Sequence, residues 1–499
     1  MREIVTLQLG HLSNYVATHF WNAQESYFTY ANQEESPVDH NIHWRPGIGA
    51  DGSETFLPRT IIYDLKGGFG ALRKINALYE PQIEPGHLEA ASSLWSGQSV
   101  LHKQPPVETG AYQASLDAGT QPPQLTSSSV RYWSDFSRVY YHPKSLVQLY
   151  DFELDSTIRP FERFSMGTEL FQSLEKDEDI VDRDFRPFAE ECDRMQGIQA
   201  LATLDDAWGG FATRYLDALR DEYPKSCIWL WGLQSPTVDV PLEKRRLRTA
   251  NVAQSIAQAR FTASMVVPLT IPESRLPRNF SLDSRSPWQV SAAFATAIET
   301  STIETRMAIR RNSQPMSMWD MVESLNAAGN QTLSRIRMGV GSSVSEQAQE
   351  GTEAEFFGLG SLQGPAKKNR KGRVFGQLSC VRGPEPGKDD ADGDGEEADT
   401  RSRRLVGDPV YRRFDTPLKF PLLDSFPSIY KDGAGQRDIN IRTVLSTETT
   451  MAPQVKNLKS LTFWSIPLDE REALSNGLAE IADAYQDDWS SDSDDDDDL

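Results

Sequence analysis

MREIVTLQLGHLSNYVATHFW, residues 1–21, decides the fold. Glu3 to Leu9 alternates well enough for a strand, and Gly10 supplies a tight turn. Asn14 to Trp21 then reads as a helix with Val16, Phe20 and Trp21 on its apolar side. A strand, a glycine turn and a helix form the unit from which open α/β sheets are built, with ligand turns at the strand ends.

The same syntax returns downstream. In TIIYDLKGGFGAL, residues 60–72, Thr60 to Leu65 reads as a buried strand and Lys66-Gly67-Gly68 as the turn. Residues 185–224 read as two helices around a turn, followed by a strand from Cys227 to Leu233. The second helix carries Phe211, Tyr215 and Leu219 at four-residue spacing, and Pro224 stops it.

The bulk numbers exclude several classes. At 499 residues the chain holds two or three domains. A hydrophobic content of 38% with 11 Trp, 15 Tyr and 22 Phe is globular. The formal charge of -21 argues against direct nucleic-acid binding. Cys192, Cys227 and Cys380 are odd in number and scattered, which fits a reducing compartment and not a zinc site. No apolar run reaches membrane-span length, and no signal-peptide core opens the chain. Contact with an organelle is therefore expected from the cytosolic side.

Residues 80–130 read as Pro/Ser/Gly/Gln-rich loop, and WSDFSRVYYHPKSL at 133–146 as an aromatic packing block. Residues 364–405 read as a disordered linker, basic at Lys367–Arg373 and acidic at Asp389–Asp399. Its acidic half imitates the start of a calcium loop, but Arg401 stands where the bidentate Glu belongs. Asp469 and Glu472 suggest a capping box for a last helix striped by Leu474, Leu478, Ile481 and Tyr485. The acidic tail SSDSDDDDDL follows, with Ser490, Ser491 and Ser493 in a setting that suits phosphorylation. His40 and His43 form an HxxH pair that reads as a surface feature, and Ser134, Asp135 and His142 read as packing, since no GxSxG elbow is present.

The opening 21 residues, AEECDRMQGIQA at 189–200, LRDEYP at 219–224 and VSAAFATAIET at 290–300 resemble tubulin. With the aromatic block and the loop-rich insert before it, the chain resembles the Misato family of tubulin-like proteins, which includes the fungal mitochondrial-DNA inheritance proteins. The resemblance implies a tubulin/FtsZ-like α/β fold. Residues 1–255 would form the N-terminal α/β domain with a family-specific insert at about 80–150. Residues 256–466 would form an intermediate α/β domain containing the linker, 467–486 a C-terminal helix and 487–499 a disordered acidic tail.

It also implies where a nucleotide site would lie: Gly10, His11, Asp64, Lys66, Gly209, Gly210 and Asn251. That site departs from tubulin. His11 and Leu12 replace a polar residue and a cysteine after the glycine. The glycine-rich phosphate loop is Asp205-Asp206-Ala207-Trp208-Gly209-Gly210-Phe211, with two acids facing a triphosphate and a bulky ring where backbone should be bare. The loop that would deliver a catalytic acid to a neighbouring subunit is Ser284-Arg285-Ser286-Pro287-Trp288, which has no acid. The expectation is a non-enzymatic adaptor with no cofactor and no metal. It would partition mitochondria and their DNA from the cytoplasm and the outer mitochondrial face, with proteins of the mitochondrial surface or cytoskeleton as partners. The alternatives are a divergent GTP-binding assembly protein and a partner acting on tubulin itself.

Overall fold

A computed structural model describes residues 2–29, 35–48, 54–72, 107–272, 276–277, 279–308, 315–341, 356–360, 362, 372–383, 408–431, 435–463 and 465–486. Strand β1 (Glu3–Leu9) runs directly into helix α1 (His11–Glu25) through Gly10, whose φ of 100° favours glycine. A hairpin of β2 (Trp44–Ile48) and β3 (Glu54–Pro58) precedes β4 (Thr60–Lys66). Then come α2 (Ala111–Asp117), β5 (Leu146–Glu153), α3 (Phe164–Glu178), α4 (Arg186–Glu190), β6 (Met195–Thr203), α5 (Ala207–Glu222), β7 (Cys227–Leu233), α6 (Leu242–Thr262) and β8 (Met265–Leu269).

These strands form a six-stranded sheet in the order β5-β4-β1-β6-β7-β8, parallel throughout. Parallel sheets are covered on both faces. On one face Ile4, Ile62, Leu201 and Trp229 pack with Val16, Phe20 and Trp21 of α1. On the other, Val5, Leu7, Tyr63 and Ala200 pack with Phe171 of α3, Phe211 and Tyr215 of α5 and Ile256 of α6.

The second half begins with α7 (Pro287–Thr302) and α8 (Met318–Leu325). Strands β9 (Arg335–Val340), β10 (Phe357–Gly358), β11 (Val374–Arg382), β12 (Val410–Thr416), β13 (Phe420–Pro421), β14 (Asp438–Ile439) and β15 (Ile441–Glu448) follow. A mixed sheet has the order β10-β9-β15-β11-β12, in which only β11 and β12 are parallel. Helix α7 is buried nearly all round, as a helix between two layers must be. It contacts α1 on one side and β11 and β15 on the other. Helices α9 (Met451–Thr462) and α10 (Leu468–Asp483) pack on α6.

Several expectations are corrected. Residues 195–203 are a strand, not part of a helix pair. The linker read at 364–405 contains β11, while its basic and acidic runs lie largely outside the described residues, as do the calcium-like stretch and the acidic tail. Helix α10 starts at Leu468 after Pro467, so Asp469 and Glu472 lie inside it instead of forming a capping box. Its stripe does face inward, with Leu478, Ile481 and Tyr485 buried. The boundary drawn at 255 falls within α6, and β8 still pairs in the first sheet.

Candidate functional site

Strand order in the first sheet reverses between β1 and β6: the chain moves outward through β4 and β5 on one side and through β7 and β8 on the other. Such a switch point opens a crevice at the carboxyl ends of the strands, where α/β proteins bind ligands. Here it lies between the Gly10 turn and the N-terminus of α5.

Gly10, His11 and Asp64 meet on the β4 side. The fully buried Asp64 carboxylate sits at the end of β4. His11 Nδ1 lies 3.0 Å from Asp64 Oδ2. Asn14 Nδ2 and Trp133 Nε1 donate to the same oxygen at 2.9 and 3.3 Å, and Leu65 N–H donates to Oδ1 at 2.9 Å. Gly68 closes over it, since a Cβ there would stand 2.3 Å from Asp64 Cγ. Both oxygens are thus engaged by the chain's own donors. Lys66 is not part of this cluster: it is partly exposed, with Nζ 3.7 Å from Glu153 on β5.

On the other side of the crevice the α5 N-terminus is also filled from within. A helix N-terminus attracts an anion because its first N–H groups lack intrahelical partners. Asp206 places a carboxyl there, accepting from Trp208 N–H at 2.9 Å and from the Thr203 hydroxyl at 2.9 and 3.0 Å. Asp205 accepts from Ser235 N–H at 3.0 Å and lies 3.7 Å from Arg248 of α6. Trp208 is buried against Phe161 and Phe211. Its indole lies on Gly10: a Cβ at Gly10 would stand 2.7 Å from Trp208 Cδ1. The ring therefore fills the space at the turn that a side chain on residue 10 would take.

Gly209 and Gly210 lie inside α5 and do not line a loop. A Cβ on Gly209 would meet Ser255 Oγ at 2.2 Å, and one on Gly210 would meet the Phe164 carbonyl oxygen at 2.0 Å. They permit α5 to touch α6 and α3. Asn251 joins the same helices: its Nδ2 donates to the Glu162 and Asp205 carbonyls at 2.7 and 3.0 Å, and its Oδ1 accepts from Phe164 N–H at 3.1 Å. Of the seven residues named from sequence, the fold gathers Gly10, His11 and Asp64, places Gly209, Gly210 and Asn251 at helix contacts, and turns Lys66 aside. Arg248 was not foreseen. Its signal was the run Lys244-Arg245-Arg246-Leu247-Arg248 at a helix N-terminus, where cations oppose the dipole unless an acid answers them.

Elsewhere, His43 is not a surface residue: it is buried between Phe20 and Trp21, and burial followed by Arg306 and Arg59 depresses its pKa far enough to keep it neutral. Asp135 accepts from Arg131 and Tyr132 N–H groups, a turn-forming role. Among the described residues no group of three His, Cys, Asp or Glu side chains could hold a metal ion.

Burial, then the neighbouring Asp205, pushes Asp206 up to about 7. A carboxyl raised above its ordinary value stabilises the fold fully at acid pH and loses that contribution as pH rises toward and past 7. Thermal midpoints should therefore fall between about pH 4 and 7 and level off above that. Asp206→Asn keeps an acceptor for Trp208 N–H and removes the repulsion, so its midpoint should be flatter over that range and higher than the parent's at pH 8. A variant that falls as steeply as the parent would refute this.

The two sheets and the glycine-turn crevice define a tubulin-like α/β protein. Residues 2–118 match the Misato Segment II tubulin-like domain and residues 122–307 the tubulin domain. The chain is 54% identical over 502 residues to protein DML1 of Gibberella zeae and 45% identical over 545 residues to protein dml-1 of Neurospora crassa, in each case across 100% of both chains. It is 29% identical to protein misato homolog 1 of Pongo pygmaeus, across 66% of this chain and 64% of that one. The chain belongs to the Misato/DML1 family of tubulin-like proteins.

Proposed function

We propose that this chain is a non-enzymatic adaptor or scaffold that partitions mitochondria and supports inheritance of mitochondrial DNA. It works from the cytosolic side of the mitochondrion, through protein partners of the mitochondrial surface or cytoskeleton. The observation that carries the non-enzymatic part is the Trp208 indole lying on Gly10, with Asp206 already seated at the α5 N-terminus. A triphosphate at the turn would meet the ring and two buried acids. The mitochondrial part rests on the resemblance to the fungal mitochondrial-DNA inheritance proteins. No helix among the described residues is long and apolar enough to cross a membrane, which suits a peripheral contact.

Purified protein, denatured and chromatographed, should release no stoichiometric guanine nucleotide, and GTP with magnesium should give no binding heat. Bound guanine nucleotide would overturn the non-enzymatic part and favour the divergent GTP-binding reading, which the positive φ of Gly10 and the switch-point crevice support. Depleting the protein should disturb the mitochondrial network and lower mitochondrial DNA content. An unchanged network with unchanged DNA would sink the mitochondrial part.

A further inference from the structure

The second sheet has one face against α7 and α8, formed by Ile336, Met338, Leu378 and Leu445. Strand register fixes what lies on the other. Arg337 pairs with Val444, Gly339 with Arg442, and Ser379 with both Val444 and Arg413. Directly paired residues share a face, and so do residues two apart. Arg335, Arg337, Arg413 and Arg442 therefore project from one side of four hydrogen-bonded strands. Burial followed by the proximity of Arg413, and also Arg337, lowers the pKa of Arg442, as expected where cations converge.

Among the described residues the compensating groups on this face are few. Arg413 donates to Asp415 on its own strand at 2.9 Å, between two well-exposed side chains. Arg335 lies 3.9 Å from Glu448. Arg442 donates to the Ser379 hydroxyl at 3.3 Å and covers the Phe356 ring. Nε of Arg337 is buried without a hydrogen-bond partner. Among the described residues four guanidiniums thus face two carboxylates, in a chain of formal charge -21. Charged side chains commonly guard sheet edges against aggregation. That accounts for Arg413 on β12, but not for Arg337 and Arg442 on the inner strands β9 and β15.

Strand β12 ends the sheet order, so its outer edge carries no strand among the described residues. Tyr411, on the same face as Arg413, is exposed. An open edge beside a basic face is the geometry that binds an extended peptide by strand addition, with main-chain bonds for affinity and side-chain contacts for selection. We infer that this face docks an extended Asp/Glu-rich segment of a partner protein. The partner's backbone pairs with β12, its carboxylates engage Arg413 as charge-assisted hydrogen bonds, and Arg442 and Arg337, farther across the sheet, add attraction at longer range. The occupant is a peptide and not a nucleic acid, because the net charge of the whole chain repels a long polyanion while a short segment sees the local field. This face belongs to the second sheet and is independent of the crevice at the first.

The test is fluorescence anisotropy of a labelled alternating Glu-Val peptide added to the full chain, with an alternating Lys-Val peptide as control. The Glu-Val peptide should bind and the Lys-Val peptide should not, and raising the salt from about 50 to about 300 mM should weaken binding. Arg413→Glu, at an exposed position, should weaken it about tenfold or more with the thermal midpoint little changed. Arg442→Gln should weaken it in the same direction. Equal binding of both peptides, no binding of either, or full affinity in Arg413→Glu would overturn the inference. Binding seen only after removal of residues 487–499 would assign the face to the chain's own acidic tail and overturn the partner.

Discussion

Glu299→Ala should destabilise the protein by about 3–5 kcal/mol, the cost of leaving buried charge uncompensated. Glu299, Arg306 and Arg382 are all buried at the junction of α1, α7 and the second sheet. One Glu299 oxygen accepts from Arg306 at 3.0 Å, from Tyr27 OH at 2.9 Å and from Gln24 at 3.2 Å. The other accepts from Arg382. Burial alone would raise the Glu299 pKa, yet Arg382 and Arg306 outweigh it and hold it below its ordinary value. The excess positive charge is spread over backbone carbonyls: Arg306 donates to Thr302 O, and Arg382 to Leu418 O and Lys419 O. Removing the carboxylate strands two guanidiniums that have no route to water. Urea midpoints followed by tryptophan fluorescence would show the loss. The control is the triple replacement Glu299→Leu, Arg306→Met and Arg382→Met, which removes all three charges of this network and should recover most of the stability. If Glu299→Ala alone were neutral, the network would not be what joins the two sheets.

How much of this was legible beforehand depended on how far each cause lay along the chain. Strands β1 and β4 could be read because their glycine turns follow at once. Strand β6 was misread because it is the centre of the sheet. From Gly197 to Thr203 every residue is buried, so no alternation marks it, and Ala200 and Ala202 favour helices intrinsically. Strand β11 was lost inside a segment judged by its charged flanks. The engagement of Asp64 was not readable, because Asn14 and Trp133 lie far from it in sequence and only the fold brings them there. The Trp208 side chain was visible as an intruder in a loop that should be bare. That it lies on Gly10 required the switch-point geometry. His43 was placed on the surface because a polar HxxH in a loop reads that way; Phe20 and Trp21 bury it from a separate element.

Gly210→Ala separates two explanations of the same residue. If the glycine were a remnant of a phosphate loop, alanine inside α5 would gain about 1 kcal/mol of helix propensity. The structure requires the opposite sign. Helices α3 and α5 cross at Gly167 and Gly210, where a Cβ on Gly167 would stand 1.7 Å from the Ala207 carbonyl oxygen and one on Gly210 would stand 2.0 Å from the Phe164 carbonyl oxygen. Both obstacles are backbone, which cannot rotate aside as a side chain does, so the helices must move apart. That separation would pull Phe164 N–H from Asn251 Oδ1 and loosen Phe171 from Phe211. Overpacking of this kind costs about 1–3 kcal/mol or more. Urea midpoints of Gly210→Ala and Gly167→Ala should both fall, whereas Gly329→Ala, with open space around the added carbon, should lose only what its positive φ costs. A rise in stability for Gly210→Ala would mean the crossing is looser than drawn and would return that glycine to the cleft.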